Sequence, residues 1–173
     1  MPEIDLLIAE CENFISNRGI DDGVISAYCG ISQMASNEKQ IEKMLQCTKR
    51  SKELIAKNLY DSTGTTITGI EEIIFKNETE FEPLDAYYDM LLLESHYLFE
   101  SFMLYMERKR PPWERFYMPR INPLRQVAQL IQDLYDDKLD EGMVFCPGRI
   151  GKTQIVKMGN LWFASNRPER SNL

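Results

Sequence analysis

The sequence predicts a mainly α-helical chain, with a helical bundle over residues 1–110 followed by one helix–strand–loop–helix unit over 111–173 whose sheet is incomplete. Three observations predict this. Apolar residues recur at three- and four-residue spacing almost without a break from Ile4 to Arg108. The pair Pro111-Pro112 then stops the pattern, because neither residue can continue a helix. Beyond it, only Met143 to Cys146 has the length and apolar character of a buried strand.

The first helix carries the stripe Ile4, Leu7, Ile8, Cys11, Phe14 and Ile15, and Arg18-Gly19 ends it. Asp21-Asp22 caps a second helix, expected from about Gly23 to Met34. Ser36-Asn37-Glu38 starts a third through Ile41, Met44, Leu45, Leu54, Ile55 and Leu59, and Asp61-Ser62-Thr63-Gly64 breaks it. A shorter segment spans Ile67 to Phe75. Pro83 opens the longest expected helix, Leu84 to Arg108, apolar round much of its surface through Tyr87, Leu91, Leu98, Phe102 and Tyr105. After an irregular aromatic and basic stretch, Trp113 to Arg120, Asn122-Pro123 caps a helix from about Leu124 to Leu139. Asp140-Glu141-Gly142 turns the chain into the strand, and Gln154 to Ala164 reads as a final apolar-faced helix.

Composition excludes several classes. A hydrophobic fraction of 43% supports a real core, yet there is no run of eighteen apolar residues, and the N-terminus is acidic before its first apolar stretch. Neither a membrane span nor a secretory signal is indicated, and a cytoplasmic location is expected. The four cysteines (Cys11, Cys29, Cys47, Cys146) form no C-x-x-C pair and His96 is the only histidine, which argues against a zinc site or a disulfide scaffold. The net charge of −7 is divided unevenly. Residues 1–100 hold 8 Lys/Arg against 19 Asp/Glu, a balance of −11, whereas residues 101–173 hold 12 against 8, a balance of +4. A polyanion-handling C-terminal part joined to an acidic, protein-facing or merely solvated N-terminal part fits that split. The short spacing of the helices around Ala27 to Cys47 suggests a DNA-reading helix pair, but Glu38, Glu42 and Glu53 interrupt the basic face it would need.

The most specific segment is Cys146-Pro147-Gly148-Arg149-Ile150-Gly151-Lys152-Thr153, an apolar run feeding a turn that ends in Gly-Lys-Thr ahead of a helical pattern. In a phosphate-binding loop, backbone N–H groups and the following helix N-terminus converge on phosphate oxygens, the lysine adds a mobile charge and the hydroxyl a Mg²⁺ ligand. Cys146 stands where the first glycine of the usual G-x-x-x-x-G-K-[ST] pattern would be, so the loop is a deviant Walker A. Gly148 and Gly151 allow the close backbone approach, Ile150 lies between the turn and Gly151, Lys152 would hold the β and γ phosphates of ATP and Thr153 would ligate Mg²⁺. Arg149 reads either as a sensor of γ-phosphate charge or as a plain surface arginine. Without its context, Gly151 would be an ordinary turn before a surface helix.

Taken with Tyr117-Met118-Pro119-Arg120, Leu124-Arg125-Gln126 and the acidic helix end Leu134 to Asp140, the loop resembles the start of the ATPase domain of tailed-phage terminase large subunits, the motors that pump viral DNA into capsids. Loops of that family often replace the first glycine and carry an internal arginine, as Cys146 and Arg149 do. The resemblance covers about residues 113–165. It implies adenine recognition by a glutamine upstream of the loop, with Gln126 the first candidate and Arg120 the second; Gln126 alternatively reads as an exposed helix residue. An adjacent aromatic, Tyr117, is the candidate for stacking on the base.

The same resemblance implies ATP and Mg²⁺ as ligands. As partners it implies a small terminase subunit, a portal or capsid and double-stranded DNA, with possible ring-like self-association, in the cytoplasm of a host cell. The acidic strand motif, the catalytic glutamate and the nuclease carboxylates of that family have no counterpart here, so the expectation is an N-terminal portion that binds ATP without hydrolysing it. The alternatives are a helical protein-interaction module with a vestigial loop, and a truncated helicase-like ATPase.

Overall fold

The computed structural model describes residues 2–63 and 82–167, and the segment expected between Ile67 and Phe75 lies outside them. Seven α-helices are found among the described residues, with no β-strand, so the chain is mainly helical as its periodicity requires. It forms two compact units, Met1–Leu93 and Glu94–Leu173. The boundary expected at 110/111 therefore falls inside the second unit.

In the first unit, α1 (Pro2–Arg18) presents the expected stripe, with Ile4 fully buried and Leu7, Ile8, Cys11, Phe14 and Ile15 half-buried. Gly19 stops it in the left-handed region, φ 89°, and its N–H returns to the Ile15 carbonyl at 2.9 Å. Asp21 then caps α2 (Asp22–Asn37), its carboxylate accepting from the Val24 N–H at 2.8 Å. α2 runs three residues further than expected, and α3 (Ile41–Thr63) starts later because Glu38 to Gln40 are needed for the turn. That turn places Lys39 at φ 57° and closes with the Gln40 N–H on the Ala35 carbonyl, 2.8 Å.

α2 packs against both α1 and α3 around Val24, Tyr28, Ile31, Met44, Cys47 and Leu54. Arg50 of α3 donates to both carboxylate oxygens of Glu12 on α1, at 2.8 and 3.0 Å, and the Tyr28 hydroxyl of α2 donates to Glu12 at 2.6 Å. Glu12 thus ties all three helices together.

The helix expected from Leu84 to Arg108 is two helices, α4 (Glu82–Glu94) and α5 (Phe99–Glu107). No proline or glycine lies at the break, and distant side chains take up the backbone groups it frees. The Trp162 indole N–H donates to the Ser95 carbonyl at 2.6 Å. The Gln132 carboxamide donates to the Tyr97 carbonyl at 3.0 Å and accepts from the Phe99 N–H at 2.8 Å. Satisfying those groups makes the bend affordable where an unpaired buried backbone group would cost about 1–3 kcal/mol.

In the second unit, α5, α6 (Ile121–Tyr135) and α7 (Lys152–Asn166) pack on one another. Their core includes Phe99, Met103, Leu124, Val127, Ile131, Ile155 and Trp162, the last fully buried with its ring centroid 5.4 Å from Phe99 and 4.2 Å from Tyr135. α6 starts and ends before the expected helix, leaving residues 136–151 irregular.

Candidate functional site

The site is the irregular segment that enters α7. Residues 143–146 do not form the expected strand, since no neighbouring strand among the described residues offers a ladder. Met143 and Phe145 are 77% and 86% exposed, whereas Val144 between them is half-buried. The side chains therefore still alternate in the manner of an extended chain. Val144 lines a groove of about 470 Å³ with Val127, Leu130, Leu134, Val156 and Phe163.

After Pro147 and the exposed Gly148, Arg149 lies in the left-handed region at φ 67°, Ile150 is half-buried, and Gly151 returns to the left-handed region at φ 99° as the N-cap of α7. Left-handed residues in such a turn aim successive N–H groups inward, the arrangement that makes anion-binding nests. Lys152 and Thr153 open the first helical turn, where backbone N–H groups have no acceptor within the helix. Lys152 folds back across the loop, and its Nζ donates to the Cys146 carbonyl at 2.7 Å. Thr153 is exposed, with its side chain beside that turn in sequence.

The upstream candidates are placed differently. Tyr117 is completely buried and its hydroxyl donates to Glu100 at 2.9 Å, so it presents no face for stacking on a base. Arg120 is half-buried, donates to the Phe116 carbonyl at 3.1 Å, and sits 5.7 Å above the Phe116 ring. Gln126 is exposed in the second turn of α6.

Two residues that sequence reasoning passed over adjoin the loop or its support. Phe116 packs so closely under Gly151 that a Cβ there would overlap its Cε2 and Cζ atoms. Glu107 is buried and accepts the N–H groups of Phe116, Tyr117 and Met118 at 2.6, 2.6 and 3.1 Å. The aromatic and basic composition of 113–120 was the available signal for the first, and nothing in the helical pattern marked the second.

Among the described residues no group of three or more His, Cys, Asp or Glu side chains could hold a metal ion, and no helix is long and apolar enough to cross a membrane. No protein-family model, curated protein or solved structure matches the chain.

Proposed function

We propose that residues 146–153 bind the triphosphate of Mg-ATP, as the deviant Walker A loop of a DNA-packaging ATPase of the terminase large-subunit type. The observation that carries the reading is the 2.7 Å contact of Lys152 Nζ with the Cys146 carbonyl, which sets a cation across the loop from the first residue of a helix. A carbonyl is a weaker partner for an ammonium than a phosphate oxygen, because only the latter carries a full charge. Phosphate entry would exchange one acceptor for the other without rebuilding the loop. Thr153 at the second helical position would supply the hydroxyl to Mg²⁺, and Arg149 would add charge at the exposed edge.

The extended, alternating segment 143–146 supports the finer architecture, a helix–strand–loop–helix unit of an α/β domain. Its exposed Met143 and Phe145 are the kind of apolar surface that helices cover on the face of a sheet. Gln126 as the adenine reader, and double-stranded DNA, a small terminase subunit, a portal or capsid and further copies of the chain as partners, belong to the same proposal and rest on the motif order alone.

Calorimetric titration of Mg-ATP into the protein and into Lys152→Ala tests the reading. Saturable binding by the wild type that the variant loses supports it. A folded wild type that takes up no nucleotide overturns it and favours the helical interaction module, whose acidic surface would come from the N-terminal unit.

A further inference from the structure

We infer that Glu107 is a positioning residue for the 146–153 loop, acting through the backbone of 116–118 and the ring of Phe116. The inference rests on the phosphate-loop reading only for its functional consequence. Its structural part stands on contacts within the second unit.

Glu107 ends α5 with 4% of its surface exposed, and both carboxylate oxygens are used by three consecutive backbone N–H groups. A buried carboxylate without partners would be strongly unfavourable, whereas one accepting several N–H bonds has its oxygens satisfied. Glu107 therefore fixes the turn that leads into Met118–Arg120. That turn fixes Phe116, whose N–H is bound by Glu107 and whose carbonyl is bound by Arg120. The ring of Phe116 in turn fills the space where any side chain at position 151 would go.

Gly151 is both the left-handed N-cap of α7 and the residue before Lys152, so its position decides where the loop amides and the ammonium point. The route runs from a buried carboxyl group, through a turn, to an aromatic wall behind the loop. Arg120 also belongs to this support, with its guanidinium committed to Phe116.

The test has a structural arm that needs no nucleotide and a binding arm that does. In the structural arm, Gly151→Ala, Phe116→Ala and the double variant are compared by thermal unfolding, and backbone heteronuclear NOEs are recorded for 148–153 in Glu107→Gln and in Phe116→Ala. The inference expects Gly151→Ala to destabilise less in the Phe116→Ala background than alone, and both NOE variants to lose loop order while their helical circular dichroism persists. Additive Gly151 and Phe116 effects, or an unchanged loop in folded Glu107→Gln or folded Phe116→Ala, would overturn it. Should Glu107→Gln fail to fold, the same NOEs are recorded in Glu107→Asp, whose shorter carboxylate cannot reach all three N–H groups, and unchanged loop order there would overturn the inference.

In the binding arm, Phe116→Ala is expected to weaken Mg-ATP about tenfold, a change of about 1.4 kcal/mol. Unchanged affinity despite a loosened loop would overturn the functional consequence. If the wild type binds no Mg-ATP while the structural arm succeeds, the nucleotide reading fails and the positioning role of Glu107 stands.

Discussion

Two glutamates show how differently the two units are held. Glu12 is a part-exposed carboxylate that joins three regular helices by pairing with the Arg50 guanidinium and the Tyr28 hydroxyl. Glu107 is buried and accepts three consecutive backbone N–H groups of an irregular turn. The first arrangement needs long helices lying side by side, and solvent weakens it because its charges stay partly in water. The second holds a segment that has no helix or sheet of its own to satisfy its amides. The unit built from regular helices keeps this carboxylate at its surface, while the unit that carries the loop buries one beneath an irregular turn.

That contrast is sharpest in the core of the second unit. Trp162→Ala should destabilise it by about 3–5 kcal/mol, because the variant loses a fully buried ring together with the indole N–H that donates to the Ser95 carbonyl at the helix break. Urea unfolding followed by circular dichroism would measure the loss, and a loss under 1 kcal/mol would mean the break is not held from α7.

Gly151→Ala should cost about 1–3 kcal/mol, since it combines a left-handed backbone with overlap on Phe116. The equivalent change at Gly148, where a Cβ meets nothing within 4 Å and φ is not positive, should be close to neutral; thermal unfolding of the pair checks this.

In the first unit, Tyr28→Phe removes one hydrogen bond from a buried ring and should cost about 1 kcal/mol, read from hydrogen exchange of α2 amides. A smaller, pH-dependent effect belongs to Glu12. The Arg50 hydrogen bond, opposed by partial burial and aided by Tyr28, lowers its carboxyl below the ordinary glutamate value of 4.5. A lowered native value means the protonated form is favoured by unfolding. Its stabilisation is therefore present above about pH 4.5 and is lost as the pH falls through the lowered native value. Arg50→Ala should flatten that acid limb of stability, and an unchanged limb would remove Glu12 from the account.

Much of the helical framework was legible because its signals are local. The Ile4 to Ile15 stripe, the Arg18-Gly19 stop and the Asp21 cap each depend on neighbours within one turn. The break at Ser95–Leu98 was not legible, because Leu93-Glu94-Ser95-His96-Tyr97 contains no helix breaker and the side chains that stabilise it come from Gln132 and Trp162. The strand at Met143–Cys146 was inferred from apolar character, but a strand also needs a partner, which composition cannot supply. For the candidate site, the turn at Arg149–Gly151 and the helix after it were legible from a contiguous segment. Tyr117 was misplaced because in an aromatic pair the sequence does not say which ring turns inward; here Tyr117 is buried and its neighbour Phe116 meets the loop.

The place of Glu107 bears on how the protein can be cut. Pro111-Pro112 is the obvious point at which to separate an isolated loop-bearing fragment from the helices before it. A fragment starting there would leave behind the carboxylate that receives three amides of the 116–118 turn, and with α5 it would also lose Phe99 from beside Trp162. A dissection that keeps the loop intact has to begin upstream of Ser95, within the helical run rather than at the prolines.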